Sequence, residues 1–457
     1  MIPTQADIIV IGAGLTGLTA AFRLKEKVHN VHIIECMAHV GGQIHSHKSR
    51  GFTFESGPNT GTISTPEVAE LFRDINDDCH ILTARKESEI RYIWKGNRFR
   101  TLPSGLFSAI ATPLFSWYDK FRILGEPFRA VGQNPDESVG ELARRRLGQS
   151  YLDYAVDPFL SGIYAGDPMT LVTRHALPKL YHLEQDYGGF IRGAIAKARQ
   201  PKSDRDRLAT KKVFSAVGGM SSITDALAEK VGSENITLSA SNAQVKPIEN
   251  GWSVSFNTPD GNKTITAKKV ISTVGAYNLP ALFPFIDEKE MNKITNLNYA
   301  PVAQVAVGIK DIESVQIKGF GGLVPSREKR NVLGILFPSA IFDNRAPENG
   351  AMLSFFIGGM RRKELVSQSD AKLEALVEKE LHEMLKLPKG TQPDLIRIFR
   401  HKHAIPQYEQ NSGERFDAIK KIERTYQGLY LVGNIKDGIS MANRITQATE
   451  LSNNIAF

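Results

Sequence analysis

Cysteine is scarce in this chain: Cys36 and Cys79 are the only two among 457 residues. Neither belongs to a CxxC pair, so the sequence predicts no disulfide framework and no metal site of that kind, and we expect no bound metal. With so few thiols, a reducing compartment is the expected location, which points to the cytoplasm.

Long apolar runs are also missing. No stretch approaches the roughly 18 consecutive apolar residues that cross a bilayer. The first apolar segment, residues 8–13, leads straight into a glycine loop, which is not the pattern of a signal peptide. We therefore expect a cytoplasmic protein, and peripheral attachment to the inner face of the membrane stays open.

A third absence concerns charge patterning. Lys and Arg exceed Asp and Glu, with a net charge of +8 and a pI of about 9.2, yet no basic run is interleaved with aromatic residues. Nucleic acid is therefore the least expected partner, and an anionic small substrate or a membrane surface remains. Hydrophobic (41%) and charged (23%) fractions are typical of a globular protein, and the length suggests about two or three domains.

Glycine, by contrast, is concentrated at the start of the chain. The run 8–11 has the composition of a buried parallel strand, and a loop follows it that consists of Gly12, Ala13, Gly14, Leu15, Thr16 and Gly17. In a Gly-x-Gly-x-x-Gly loop the glycines permit a tight turn, close approach to a pyrophosphate and tight helix packing. A second strand ends at Glu35, whose carboxylate can bind ribose hydroxyls. The pattern predicts a dinucleotide site without a 2′-phosphate.

Two further segments indicate which dinucleotide is bound. The first contains Gly41, Gly42 and Gln43, and the second contains Gly57, Pro58 and Asn59. Both resemble segments of the FAD-binding amine-oxidase-like group, where they lie beside the diphosphate and the isoalloxazine ring. Gln43 stands where that group usually has an arginine. The resemblance implies FAD, and because no cysteine follows Cys79 we expect it to be held without a thioether bond, non-covalently.

The chain is predicted to return to the flavin in two later regions. A helix over residues 221–230, with Ser221 or Ser222 as its cap, precedes several strands, and Val245 matches a valine that contacts the adenine in this group. An ordinary strand valine is an equally good interpretation. Near the C-terminus a strand and a glycine turn precede a helix over 441–453, whose dipole can stabilise a reduced flavin. The residues expected at the flavin here are Gly433, Asn434, Gly438, Ile439 and Ser440.

Six segments extend the resemblance over nearly the whole chain. They are residues 91–96, 158–168, 319–326, 342–347, 356–359 and 404–408. With them the sequence resembles the protoporphyrinogen oxidase family, including the coproporphyrinogen oxidases. Generic amine oxidases and carotenoid desaturases share the flavin motifs but not this set.

The resemblance implies oxidation of a porphyrinogen in heme biosynthesis, with FAD taking hydride and oxygen as the acceptor. Protoporphyrinogen IX is the favoured substrate, and coproporphyrinogen III is the alternative. An amine oxidase or desaturase of the same fold, and a flavin-binding protein without turnover, are the further alternatives.

Residues matching the family's tetrapyrrole site follow from the same resemblance. They are Arg91, Gly162, Leu323, Leu336 and Phe356. Arg91 is expected to pair with a propionate through its planar guanidinium, and the backbone of Gly162 is expected to approach the substrate. The three apolar residues are expected to sandwich the macrocycle, although core packing is the ordinary role of any isolated apolar residue.

We expect an α/β fold with α+β elements in three parts: a Rossmann-type FAD-binding domain, a mixed-sheet substrate domain and a helical insert. The FAD domain takes residues 1–75, 205–295 and 415–457, the substrate domain takes 76–96 and 296–414, and the insert takes 97–204. Within the insert, the apolar residues of 104–120 fit an interfacial helix, but core packing is the commoner role, and Pro113 should interrupt any long helix. A homodimer is compatible with the sequence.

Overall fold

The computed structural model describes residues 2–27, 30–312, 315–388 and 390–455. Its first seven-stranded sheet has the strand order Ile236–Thr237, Val31–Ile34, Gln5–Ile11, Gly261–Ser272, Gly251–Thr258 and Ser241–Ile248, and Leu429–Leu431 also pairs with Gly261–Ser272. The strands around Gln5–Ile11 are parallel, and the last three in this order are antiparallel. The parallel strands fit the expected Rossmann-type domain, and the three antiparallel strands extend the sheet beyond that expectation.

Helices cover both faces of this sheet, which explains why residues 8–11 of its central strand are all apolar and buried. One face packs against Leu15–Lys25, Pro66–Asp74, Ser221–Val231 and Met441–Asn454. The other face packs against Leu279–Leu282, Glu288–Thr295 and Ser412–Thr425. In the first strand Ile8 and Val10 belong to one core, while Ile9 and Ile11 belong to the other.

The second seven-stranded sheet has the order Leu395–Pro406, Tyr299–Ile309, Ala351–Gly358, Gly334–Leu336, Gly321–Leu323, Arg91–Trp94 and Phe99–Thr101. The helix Asp370–Met384 covers one face and forms a core with residues such as Val305, Ile335 and Phe355. The short helix Pro338–Ile341 lies between two of the strands in sequence. The opposite face of the sheet points toward the FAD-binding domain and the helical insert.

Most of the insert is helical, as expected. Its helices are Leu106–Ala111, Trp117–Leu124, Val139–Arg146, Gln149–Tyr151, Asp157–Ile163, Thr173–Ala176, Pro178–Tyr187, Phe190–Arg199 and Asp204–Arg207. A π-helical turn, Leu152–Val156, joins Gln149–Tyr151 to Asp157–Ile163 without a break. Short 3-10 turns occur in the insert at Glu126–Phe128 and elsewhere in the chain at Lys86–Glu89, Ser233–Asn235, Ala276–Asn278, Ser326–Glu328 and Lys363–Leu365.

Two small sheets join the parts. Ser46–Ser49 pairs with Phe52–Glu55, and this hairpin packs on the second large sheet. Val213–Ala216 pairs with both Gly61–Thr62 and Ile81–Thr83. The strand Ile81–Thr83 is therefore bonded to the FAD-binding part, although the expected boundary assigned it to the substrate domain, because strand pairing rather than chain order decides which sheet it extends.

Local details differ from expectation at two helices. The helix Ser221–Val231 begins after Met220 without a side-chain cap; Ser221 Oγ instead accepts a hydrogen bond from the Ser46 N–H at 2.8 Å. In the insert, Pro113 does separate two helices, and several aromatic side chains of this region are exposed. Phe107 is 90% exposed, Phe128 83% and Trp117 62%. Leu114 and Phe115, in contrast, are buried in a core with Ile93 and Tyr154. Core packing therefore describes these two residues, whereas nothing among the described residues covers the exposed ones.

A buried ionic network fixes the insert. Arg146 donates from Nη1 to Glu126 Oε1 at 3.0 Å and from Nε to Glu184 Oε1 at 2.7 Å, and all three side chains are almost fully buried. Glu126 also accepts from the N–H groups of Phe190 and Ile191, the first residues of a helix. The arginine therefore neutralises two carboxylates in the interior.

Replacing Arg146 with Ala should destabilise the protein by about 3–5 kcal/mol, because the buried carboxylate of Glu126 loses its cation and Glu184 keeps only Arg145. Arg144→Ala, on the same helix but exposed, is the control and should be nearly neutral. Urea midpoints of the two variants provide the comparison. Equal midpoints for both would mean that the network contributes nothing specific to stability.

Candidate functional site

The two N-terminal glycine turns pack directly on each other. The Gly41 N–H donates to the Ala13 carbonyl at 2.8 Å. A Cβ on Gly17 would overlap the Gly12 carbonyl oxygen, whereas a Cβ on Gly14 would meet nothing within 4 Å. Gly12 itself has φ +107, a conformation that favours glycine. The geometry leaves open space over Gly14, at the start of the helix Leu15–Lys25, where the first N–H groups lack partners within the helix.

Glu35 lies beside this loop, and its side chain is 5% exposed. Its Oε2 accepts a hydrogen bond from the Ala13 N–H at 2.7 Å, and its Oε1 accepts from the Met37 N–H at 2.9 Å. The Cys36 thiol also donates to Oε1 at 3.3 Å. An ionised carboxylate has about four acceptor positions, so about one remains for a hydroxyl group. The structure therefore gives Glu35 a second task, which the sequence did not reveal: it orders the glycine loop.

The turn Gly57–Asn59 adjoins the second glycine turn, since a Cβ on Gly57 would overlap the Gln43 carbonyl oxygen. Asn59 is buried and donates to the Gly57 carbonyl at 3.2 Å; Pro58 lies between them, half-buried. The Gln43 side chain donates to the His403 carbonyl at 3.3 Å. In place of a cationic arginine, this chain thus has an amide that links the flavin side to the strand Leu395–Pro406.

The C-terminal segment returns to the same place through Thr273. A Cβ on Gly12 would lie 2.5 Å from Thr273 Oγ1, and one on Gly433 would lie 3.0 Å from the Thr273 carbonyl oxygen. Asn434 Oδ1 is 3.5 Å from the Tyr299 hydroxyl, which donates toward it. Thr273, at the end of a central strand, therefore joins the first and last expected flavin segments, and sequence analysis did not single it out.

The remaining expected residues of this region occupy the turn before the last helix. Gly438 accepts a hydrogen bond from the Tyr408 hydroxyl at 3.1 Å, and Ile439 packs against the core around Tyr408. Ser440 caps the helix Met441–Asn454, with its Oγ accepting from the Asn443 N–H at 3.1 Å. Ser440 Oγ is thus already engaged.

Val245 is the residue that was expected to contact the adenine. Its side chain is fully buried in the core beneath the sheet, and it is paired with Val254. The side chain itself behaves as an ordinary strand valine.

The three apolar residues expected to sandwich the tetrapyrrole share one face of the second sheet. Leu323 and Phe356 each neighbour Gly334 in the ladder, and Leu336 lies two residues further along that strand. All three are half-buried, whereas their sequence neighbours Val324, Ile335 and Phe355 are fully buried on the opposite face. Leu323 and Phe356 pack against the edges of two small apolar clusters, and none of the three side chains is fully buried.

Gly162 and Arg91 lie at the border of this face. A Cβ on Gly162 would overlap Leu323 Cδ2, so the helix Asp157–Ile163 contacts the sheet at that glycine. Arg91 is exposed, and its guanidinium carbon lies 5.3 Å from the centre of the Phe320 ring. All five expected substrate residues thus lie on or beside one apolar surface.

An internal ion pair that the sequence did not reveal holds the flavin side against this sheet. Arg345 Nη1 lies 3.3 Å from Glu55 Oε1, and Ser46 Oγ donates to Glu55 Oε2 at 2.5 Å. Gln304 in the sheet donates to the Glu55 carbonyl at 2.9 Å. Burial raises the pKa of Glu55 and lowers the pKa of Arg345. Glu55 directly precedes the turn Ser56–Asn59, so the pair positions that turn.

A second carboxylate, Asp157, fixes the helix that carries Gly162. It accepts hydrogen bonds from the Ser326 N–H at 2.7 Å and the Ser326 hydroxyl at 3.1 Å, and it also pairs with Arg361. Arg361 reaches Asp167 at 2.7 Å as well. These contacts hold the insert to loops at the ends of the sheet strands.

Comparison with known proteins identifies the class. Residues 15–438 match the family of flavin-containing amine oxidoreductases. Protoporphyrinogen oxidase 1 of Arabidopsis thaliana is 30% identical, over 97% of this chain and 87% of that protein. Coproporphyrinogen III oxidase of Bacillus subtilis is 24% identical, over 97% and 96%. A solved structure from Exiguobacterium sp. 255-15 superimposes with a TM-score of 0.80 at 21% identity, covering 99% of both chains.

The chain belongs to the flavin-containing amine oxidoreductase family, in the branch that holds the protoporphyrinogen oxidases. It is a flavin-dependent oxidoreductase, and the dinucleotide loop makes FAD the flavin. The predicted α/β fold class is confirmed. Three features fit FAD: the open space over Gly14, the remaining acceptor position of Glu35 and the convergence of four chain segments.

Replacing Glu35 with Ala should lower FAD affinity at least tenfold, because a charge-assisted hydrogen bond contributes on the order of 1.5–3 kcal/mol. Part of the loss should come from the freed Ala13 N–H. FAD retention on dilution of the purified protein is the measurement, with exposed Glu26→Ala as the control. Full occupancy of the Glu35 variant at low concentration would remove Glu35 from the FAD site.

Proposed function

We propose that this protein oxidises a porphyrinogen to the porphyrin in heme biosynthesis, with protoporphyrinogen IX as the favoured substrate and oxygen as the acceptor. The observation that carries the proposal is the half-buried apolar face of Leu323, Leu336 and Phe356, which borders Gly162 and Arg91. The names of the Arabidopsis and Bacillus relatives support the same substrate class.

The chemistry of the substrate matches these residue types. A porphyrinogen is an apolar tetrapyrrole with saturated bridges and anionic propionates, so it needs an apolar surface and a cation at its border. When bound, FAD supplies the hydride-accepting chemistry, with oxygen as the final acceptor and hydrogen peroxide as its product. The apolar face holds the macrocycle, and the exclusion of water there strengthens the charge contacts at its rim.

The buried pair of Glu55 and Arg345 has a supporting role in this mechanism. It positions the turn Ser56–Asn59 against the second sheet, and the apolar face of that sheet receives the substrate. Hydride transfer requires close alignment of donor and acceptor, so a fixed spacing between turn and sheet serves the reaction. Asp157 performs the same task for the helix that carries Gly162.

Anaerobic reduction of the bound flavin by each porphyrinogen is the direct test. Protoporphyrinogen IX should bleach the flavin absorbance rapidly, and coproporphyrinogen III should do so more slowly. Amines or desaturase substrates should leave the flavin oxidised. Reduction by an amine would favour an amine oxidase, and no reduction by any substrate would favour a flavin-binding protein without turnover.

Arg91→Ala should raise the KM for protoporphyrinogen about tenfold or more while FAD content stays constant, because a charge-assisted contact to one propionate is lost. Lys at this position should restore only part of the loss, since a point charge lacks the guanidinium fork. Steady-state kinetics with the free acid and with its dimethyl ester provide the comparison. If both substrates lose the same factor, Arg91 does not bind a carboxylate.

We further propose that the exposed face of the insert attaches to an anionic membrane surface on the cytoplasmic side. Phe107, Trp117, Phe121 and Phe128 are exposed there. Cations accompany them: Lys120 Nζ lies 4.2 Å from the Trp117 ring centre, and the Arg192 guanidinium carbon lies 5.8 Å from the Phe128 ring centre. Aromatic side chains with a basic rim are typical of interfacial helices. Among the described residues, no helix is long and apolar enough to span a bilayer.

Exchanging Trp117 and Phe121 for Ser should abolish most binding to vesicles that contain phosphatidylglycerol, because the inserting apolar area is removed. Ile248→Ser, which changes an exposed apolar residue on another part of the molecule, is the control. Co-sedimentation with the vesicles measures the effect. Wild-type protein that stays in the supernatant would refute attachment.

A further inference from the structure

Arg100 shares a face with Arg91 in the second sheet. Side chains alternate between the two faces of a strand, so Arg91 and Ile93 lie on the same face of Arg91–Trp94. Ile93 is paired with Arg100 on the neighbouring antiparallel strand, which places Arg100 on that face too. The Leu102 N–H donates to the Arg91 carbonyl at 2.8 Å, which extends the same register. Arg91 and Arg100 are therefore diagonal neighbours, about 7–8 Å apart by general strand geometry.

The guanidinium group of Arg100 has an unsatisfied hydrogen-bond donor. Its Nε is buried and has no hydrogen-bond partner, and no carboxylate within the described ranges forms an ion pair with it. Buried donors are normally satisfied, so an unpaired one calls for a ligand or another explanation. The nearby Lys95 is different, because its Nζ already donates to the Pro113 and Leu114 carbonyls at 2.9 and 2.8 Å.

Arg100 also lines a groove of about 430 Å³ between the edge strand Phe99–Thr101 and the helix Leu106–Ala111. Hydroxyl groups of Ser104, Ser108 and Thr112 border it, and Leu102 contributes an apolar wall. No carboxylate is among the lining residues. One guanidinium with hydroxyls on an apolar wall suits a carboxylate carried by an apolar framework.

We propose that Arg100 binds the second propionate of the tetrapyrrole, while Arg91 binds the first. The inference rests on the proposed function. Protoporphyrinogen IX carries its two propionates on neighbouring pyrrole rings, and two arginines on neighbouring strands provide one cation for each. Two anchors also determine rotation of the macrocycle within its plane, which one anchor leaves free, so the pair selects the bridge carbon that is presented for oxidation.

Porphyrin binding to the FAD-loaded protein tests this without turnover. Arg100→Ala and Arg100→Gln should each raise the Kd for protoporphyrin IX about tenfold, as expected for a lost charge-assisted contact. Arg100→Lys should recover part of the affinity. Arg98→Ala, at the exposed turn between the same two strands, is the matched control and should bind like the wild type. FAD content and thermal midpoint of each variant exclude misfolding as the cause.

Ester and double variants sharpen the test. The dimethyl ester of protoporphyrin should bind the wild type and the Arg100 variants equally. If each arginine holds its own carboxylate, the losses of Arg91→Ala and Arg100→Ala in free energy should add in the double variant. In turnover, Arg100→Ala should also lower kcat, because misrotated substrate is not oxidised.

Three results would overturn the assignment: an unchanged Kd for protoporphyrin IX in Arg100→Ala, an equal loss for acid and ester, or a loss seen only in binding to phosphatidylglycerol vesicles. The last would identify a lipid phosphate as the ligand of the groove. Failure of the proposed function is separate, because it is detected in wild-type protein as a flavin that no porphyrinogen reduces. A wild type that binds no porphyrin would refute both.

Discussion

The contact between Glu55 and Arg345 is the constraint that joins the two halves of the molecule. Both side chains are withdrawn from water, which is unfavourable for either charge alone. Each is compensated by the other, and in addition Ser46 donates to the Glu55 carboxylate and Arg345 donates to Ser215. Such a pair contributes little net stability compared with an apolar contact, but its geometry is specific. It sets where the hairpin Ser46–Glu55 meets the second sheet, and therefore where the flavin-side turn lies relative to the apolar face of that sheet.

The face of the second sheet that carries Leu323, Leu336 and Phe356 is only partly buried. Its apolar residues are neither in the core nor fully exposed, while the opposite face of the same strands is tightly packed under the helix Asp370–Met384. A group of large apolar side chains that stays partly exposed is typical of a surface that binds a ligand. The carboxylate Asp157 and the glycine contact at Gly162 hold the insert near this face, so a space with apolar walls is maintained between separately anchored parts.

Much of the FAD-binding part was predictable from local patterns. The strand–loop–helix at residues 5–25 and the C-terminal helix, which ends at Asn454 rather than 453, follow from glycine spacing and hydrophobic periodicity. The cap of the helix Ser221–Val231 and the location of the strand Ile81–Thr83 did not follow. Both depend on partners distant in sequence: the Ser221 hydroxyl is used by Ser46, and the short strand pairs with Val213–Ala216.

The sequence by itself determined the dinucleotide loop, the class of cofactor and the family, because backbone conformation and close packing restrict which residues a phosphate-binding turn tolerates. Only the tertiary structure decided that Leu323, Leu336 and Phe356 share one partly buried face and that Glu55 meets Arg345 across 290 positions. It also decided that Phe107, Trp117, Phe121 and Phe128 are exposed while Phe115 is buried. The type of a residue limits the environments that it can occupy. Which environment it does occupy depends on what packs against it, and those partners come from other parts of the chain.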